Sequence, residues 1–206
     1  MVRTRFILIR HGQTVDNAAK RAQGQLPGQL NERGEAQARA AARRLRGEDI
    51  AAVYSSDLAR ARQTASIITA ATGHDILFDK RLRERHYGIL QGRRWDENEI
   101  IHPEVQRQYR SGNPDYVIPG GESYRQFYRR TVASVEDIAA RHEAETVLIV
   151  THGGVAGCML RYVVGIPLEQ PRRFWVANAS LNIFARREGQ WLLETWGDVE
   201  HLRGLE

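Results

Sequence analysis

Short apolar blocks alternate along this chain with longer segments whose apolar positions recur every three to four residues. Arg5–Ile9, Ala52–Ser55, Asp75–Phe78 and Thr146–Val150 have the length and content of buried strands. Between them lie helical patterns. Asn31 is placed to cap a helix running through the alanine-rich stretch Glu35–Arg46 and closed by Gly47. Asp57 is placed to cap a second helix that gathers Leu58, Ala61, Ala65 and Ile68 on one face and ends at Gly73. Ser123–His142 repeats Tyr124, Phe127, Tyr128, Thr131, Val135 and Ile138 at helical spacing, and Gly153–Val164 is a helix directly after a strand. Leu181–Ala185 and Gln190–Trp196 form a predicted hairpin turning near Glu188–Gly189. Strands alternating with helices predict an α/β fold: a three-layer sandwich with a mostly parallel central sheet and helices on both faces. The stretch from about 84 to 121 lacks a clear period and holds Pro103, Pro114 and Pro119, so it is expected to be a small cap-like insertion over one end of the sheet.

Composition narrows the class. The 206 residues suit one domain, 1–206, and no linker or repeat interrupts them. The run Phe6–Ile9 is too short for a signal peptide or a membrane span, so no membrane partner is expected. A single cysteine, Cys158, rules out an internal disulfide and points to a reducing compartment, the cytoplasm. The net charge is +5, and Lys20 and Lys80 are the only lysines among 30 basic residues. No uninterrupted basic run exists, so most arginines read as solvated helix faces and nucleic acid is not the expected partner. His74, His86, His102, His142 and His201 lack ligand spacing, and no G-x-G-x-x-G fingerprint is present. Neither a metal nor a cofactor is expected. Whether the chain forms a homodimer is open at this level.

Two strand ends carry candidate chemistry. ILIRHGQT and LIVTHGGV each place a His-Gly pair directly behind an apolar strand and at a helix start. In an open α/β sheet ligands bind beyond the carboxyl ends of the strands, so His11 and His152 should face one crevice. A glycine there lets backbone approach a ligand, and a helix N-terminus favours an anion. SSDLARARQTA opens another helix after a strand. Arg60 and Arg62 project about 200° apart on a helix, so only one can reach the crevice; the apolar face is compatible with Arg60 as that residue and Arg62 on the surface, and helical phase alone does not decide between them. RLRERHYGILQG places Glu84 at the start of the insertion.

Arg10-His11-Gly12, Arg60 within LARARQTA, Glu84 within LRERHYG and THGG at His152 resemble, in order, the motifs of the histidine phosphatase superfamily, also called the phosphoglycerate mutase-like family. The resemblance spans Phe6 to His201. It implies a phosphohistidine mechanism on a small phosphorylated metabolite. Arg10 and Arg60 would bind phosphoryl oxygens, His11 would attack as a neutral imidazole, protonated His152 would donate to the phosphoryl group, and Glu84 would protonate the leaving oxygen. Asn17, Gln23, Gly24 and Gly153 match positions lining the family's phosphate pocket. Arg85 and Tyr87 match substrate-contacting positions of the cofactor-dependent phosphoglycerate mutases. PGGESYRQFYRR, Pro119 to Arg130, resembles the phosphatase branch instead, and the segment from Arg93 to Pro119 is short for a mutase. The expected activity is therefore phosphomonoester hydrolysis, with a phosphoglycerate mutase as the alternative.

Overall fold

The computed structural model describes residues 3–70 and 72–205. Six strands form one sheet: β1 (Thr4–Arg10), β2 (Ile50–Ser55), β3 (Ile76–Phe78), β4 (Thr146–Thr151), β5 (Leu181–Arg187) and β6 (Gln190–Asp198). Their order is β3-β2-β4-β1-β5-β6. The first four are parallel, and the β5–β6 hairpin adds antiparallel to β1. The hairpin turns at Glu188 and Gly189, both left-handed with φ of 51° and 80°, which matches the right-handed twist of the flanking strands.

The central strands β1 and β4 are covered on both faces, which is why they read as unbroken apolar runs. Phe6, Leu8, Val147 and Ile149 pack on one face with Phe127, Val135 and Met159. Ile7, Ile9, Leu148 and Val150 pack on the other with Ala41, Ala61 and Ala65. The helices are α1 (Val15–Ala18), α2 (Glu32–Arg44), α3 (Ala59–Thr69), α4 (Trp95–Ile101), α5 (Pro103–Arg110), α6 (Tyr124–Ala139) and α7 (Gly153–Val164). The two faces thus belong to α6 with α7 and to α2 with α3, giving the three layers. No helix among the described residues is long and apolar enough to cross a membrane.

Two local expectations differ from the structure. Asn31 does cap α2, accepting from the Gly34 amide at 2.8 Å, but Asp57 does not cap α3. Leu58 takes the N-cap position without a side-chain bond, while Asp57 receives a two-pronged ion pair from Arg83 at 2.6 and 2.5 Å. Two bonds from a guanidinium outweigh the single amide bond that a helix start would offer the same carboxylate. The insertion is also more ordered than its lack of period suggests. It holds α4 and α5 in succession, with Pro103 in the first turn of α5, where its missing N–H leaves no bond unmade. Two helices of seven and eight residues are too short to show a period.

Candidate active site

The β1–β4 register sets Arg10 opposite Thr151, so the next residues, His11 and His152, leave the sheet side by side. Their rings lie edge to face, 5.1 Å apart. His11 Nδ1 lies 2.8 Å from the Gly12 carbonyl, and Arg60 Nε lies 3.2 Å from His11 Nε2. A carbonyl only accepts and a guanidinium only donates. The ring is therefore neutral, with its proton on Nδ1 and a lone pair on Nε2. Burial, and then the charges of Arg60 and Arg10, push the His11 pKa well below 6.5. The same causes hold His152 down, burial first. His152 pairs its Nε2 with Ser56 Oγ at 2.8 Å and leaves Nδ1 buried without a partner.

Arg60 is 1% exposed, yet its bonds are to carbonyls and His11. Nη2 donates to Gly24 O at 2.7 Å and Nη1 to Leu26 O at 3.2 Å. Arg10 donates from Nη1 to Val176 O at 2.6 Å, and its Nε is buried and unpartnered. Desolvation lowers both guanidiniums to about 10, with Glu84 pulling back upwards. They stay cationic at neutral pH, and among the described residues neither is ion-paired, Glu84 acting on them only across the cavity. This is a site that lacks an anion.

Glu84 is held by two backbone donors, Arg85 N at 2.9 Å and Gly154 N at 3.1 Å. The first turn of α7 can come this close only because residue 154 is glycine: a Cβ would stand 2.0 Å from Glu84 Oε1 and 2.9 Å from Phe127 Cζ. Arg130, on α6, supports the same segment by donating to the carbonyls of Arg81, Arg83 and Glu84 while paired with Glu122.

A cavity of about 200 Å³ joins these groups. Arg10, His11, Arg60 and Glu84 line it, as do Asn17, Gln23, Gly24, Tyr87 and Gly153. Asn17 also belongs to the capping box of α1 and accepts from Asn178 at 3.1 Å, and Gln23 donates to Thr14 and Asp16. His152 is fully buried behind that lining, against His11. Arg62 is exposed and lies over Phe78. Arg85 lines a second, adjoining cavity rather than the one that holds His11. Sequence reasoning missed Ser56, Arg130 and the long loop 166–180. That loop supplies Arg172, Trp175 and Val176 to the cavity, and Asn178 Nδ2 donates to His11 O at 3.0 Å. No periodicity marks it, and Val176 acts through its carbonyl. The one signal was Arg172-Arg173 beside aromatic Phe174-Trp175 in a stretch without regular structure.

The sequence profile of the histidine phosphatase superfamily (branch 1) matches residues 6–199. A metal-independent phosphoserine phosphatase of Arabidopsis thaliana is 41% identical over 205 residues, covering 98% of this chain and 84% of that protein. A probable phosphoglycerate mutase of Salmonella choleraesuis (strain SC-B67) is 38% identical over 200 residues, covering 95% and 93%. Among solved structures, YhfR of Bacillus stearothermophilus superimposes with a TM-score of 0.91 at 32% identity, covering 97% of this chain and 100% of that one.

Proposed function

The chain belongs to the histidine phosphatase superfamily, and from that premise we propose that it hydrolyses a small phosphomonoester through a phosphohistidine at His11. The observation that carries this reading is a neutral His11 with its Nε2 lone pair set beside the buried Arg60 and the partly buried Arg10, neither of which is ion-paired among the described residues. A phosphate monoester brings close to two negative charges, which is what such a site lacks. Its oxygens take the guanidinium donors of Arg10 and Arg60, releasing Arg60 Nε from the imidazole. Nε2 then attacks phosphorus in line. The ester P–O bond breaks, its electron pair goes to the leaving oxygen, and Glu84 supplies the proton. Water attacks the phosphohistidine next. Glu84 takes the water's proton, the N–P bond breaks, and His11 returns neutral. The incoming dianion also offsets the cations that keep His152 neutral, letting it hold a proton for the phosphoryl group.

The Arabidopsis phosphatase supports hydrolysis as the net reaction. The single buried thiol, Cys158, supports work in a reducing compartment such as the cytoplasm. The test is His11→Ala, with phosphate release followed across a panel of phosphomonoesters. The expected loss in kcat is at least about a thousandfold, the scale on which nucleophile removal acts. Acid-labile, base-stable phosphoryl label should be trapped on the wild type and not on the variant. Turnover by the variant near the wild-type rate overturns the assignment.

A further inference from the structure

Glu84 sits on a stretch of chain that no ladder holds. It lies between two single 3-10 turns, Lys80–Leu82 and Gly88–Leu90, and belongs to no strand or α-helix. Its backbone groups must still be bonded, and side chains from elsewhere in the molecule do the bonding. Thr151 Oγ1, at the end of β4, donates to Leu82 O at 2.8 Å, and Gln25 Nε2 donates to Glu84 O at 3.1 Å. Most of the rest falls to one residue of α6. Arg130 Nη1 donates to Arg81 O and Arg83 O, both at 2.8 Å, and Nη2 donates to Glu84 O at 2.9 Å. Its other donors go to Glu122, Nε to Oε2 at 3.0 Å and Nη2 to Oε1 at 2.6 Å. All five N–H groups of the guanidinium are thus engaged, the most that one arginine can offer. Glu122 Oε1 closes the frame by accepting from His86 N at 2.8 Å.

We propose that Arg130, locked to Glu122, is the positioning residue for proton transfer at Glu84: it sets the place from which that carboxyl meets the leaving oxygen. The inference rests on the phosphatase reading above and concerns how its acid is aimed. A proton donor works only within hydrogen-bond reach of the atom it serves, so a small displacement of the acid is costly even in a chain that stays folded. The carboxyl is held by two bonds, from the amides of Arg85 and Gly154. The first amide belongs to the suspended stretch itself, so the carboxyl moves with the backbone that Arg130 fixes. The second belongs to α7, and Arg130 bears on that side too. Its guanidinium carbon lies 4.8 Å from the centre of the Phe127 ring, which packs against Gly154. Arg130 is not among the residues lining the cavity, so it acts through Glu84 and not on the substrate. Glu122 cancels the arginine's charge, so the brace does not by itself favour the ionised form of Glu84.

Two aryl esters of nearly the same shape test this. p-Nitrophenoxide leaves with little help from an acid, whereas the phenoxide of phenyl phosphate depends on a proton. The quantity to follow is kcat/KM for release of the phenol, which covers the steps up to P–O cleavage. Glu84→Gln sets the scale: it should raise the ratio of p-nitrophenyl to phenyl phosphate at least about thirtyfold, below the usual ceiling of general acid catalysis. Arg130→Lys keeps a charge opposite Glu122 but has three donors on a single nitrogen, too few for the same contacts. It should raise the ratio at least about fivefold, while p-nitrophenyl phosphate keeps at least about a third of its wild-type kcat/KM. Should that variant fail to fold, Glu122→Gln decides. It retains an acceptor for His86 N and withdraws one from Arg130, and the ratio should rise at least about threefold. Denaturant midpoints establish that each variant is folded in the assay. A brace that is only architectural lowers both esters alike. Equal losses on the two esters, or a ratio unmoved from the wild type in the folded variant, therefore overturn the positioning role alone. A wild type that releases phosphate from neither ester, nor from any other in the panel, removes the phosphatase reading itself.

Discussion

His11 and His152 are both fully buried beside Arg10 and Arg60, and this sets how stability depends on pH. Each imidazole is neutral in the folded chain and free to protonate near 6.5 once unfolded. The unfolded state therefore binds more protons below that value. Stability contributed by each group is complete above about 6.5 and declines as pH falls, until the depressed folded pKa is reached. Between pH 7 and 5 each histidine should cost about 2 kcal/mol, from the linkage slope of about 1.4 kcal/mol per pH unit. Denaturant midpoints at the two pH values check it. His152→Gln, which keeps an amide to meet Ser56 Oγ, should shrink the pH 7 to pH 5 difference by about 2 kcal/mol, and an unchanged difference would count against the neutral, buried reading. At this scale the sequence revealed positions better than partners. The two histidines announced themselves by standing behind apolar strands, whereas the 3.6-residue period set Arg60 and Arg62 on opposite sides of α3 without deciding which one enters the crevice. Ser56, Arg130 and Asn178 stayed hidden because they act on backbone carbonyls or on a buried ring. Such contacts depend on where two distant segments meet, and no local pattern encodes that.

The approach between α2 and the loop after β1 is closest at two glycines. A Cβ on Gly12 would lie 2.3 Å from Gly34 O, and one on Gly34 would lie 2.0 Å from Gln13 O. Both obstacles are backbone, so neither can swing aside. Gly34→Ala ought to gain about 1 kcal/mol from helix propensity at a position inside α2. The clash should outweigh it, for a net destabilisation of about 1–3 kcal/mol, the usual cost of overpacking. The displaced loop carries the Gly12 carbonyl that accepts from His11 Nδ1, so kcat should fall at least tenfold as well. Chemical denaturation and turnover on p-nitrophenyl phosphate measure the two effects, and a variant as stable and as active as the wild type would contradict the close packing. Elements with long, clean patterns were legible in the sequence: β1, β4, α6 and the β5–β6 hairpin lie where the apolar spacing put them. The cap helices α4 and α5 were not, because each has only about two turns. Nor was the start of α3, where Asp57 had a stronger partner in Arg83 than the helix end could offer.

Across the molecule two groups of arginines stand out. Those on the surface neutralise one another's neighbours: Arg39 with Glu35, Arg81 with Asp79 and Asp137, Arg125 with Asp115. The cap follows the same rule, pairing Arg94 with Asp96, Arg107 with Glu104 and Arg110 with Glu99. Arg10, Arg21, Arg60, Arg85, Arg161 and Arg172 bond to carbonyls instead, and they converge on the two joined cavities. These six concentrate positive charge on one crevice. This division bears on which reaction follows the phosphohistidine. A mutase must retain a bisphosphate that carries two phosphates and a carboxylate, and keep water away while it turns. Here Arg94, Arg107 and Arg110 of the cap are spent on carboxylates, and Arg93 donates to Ile89 O, so among the described residues Arg85, Arg21 and Arg172 face the space beyond the first phosphate without an ion pair. For the cap to offer more charge to a second phosphate, its ion pairs would have to open. The departing hydroxy acid should leave before it can recapture the phosphoryl group, and water should take its place beside Glu84. With 3-phosphoglycerate supplied and 2,3-bisphosphoglycerate present, inorganic phosphate should accumulate faster than 2-phosphoglycerate by at least about tenfold, at a turnover above about 1 s⁻¹, an ordinary enzyme rate. Phosphorus NMR of the reaction resolves all four species at once. Rapid interconversion of the two phosphoglycerates with negligible phosphate would mean that the cap's ion pairs open on binding and lend their arginines to the intermediate.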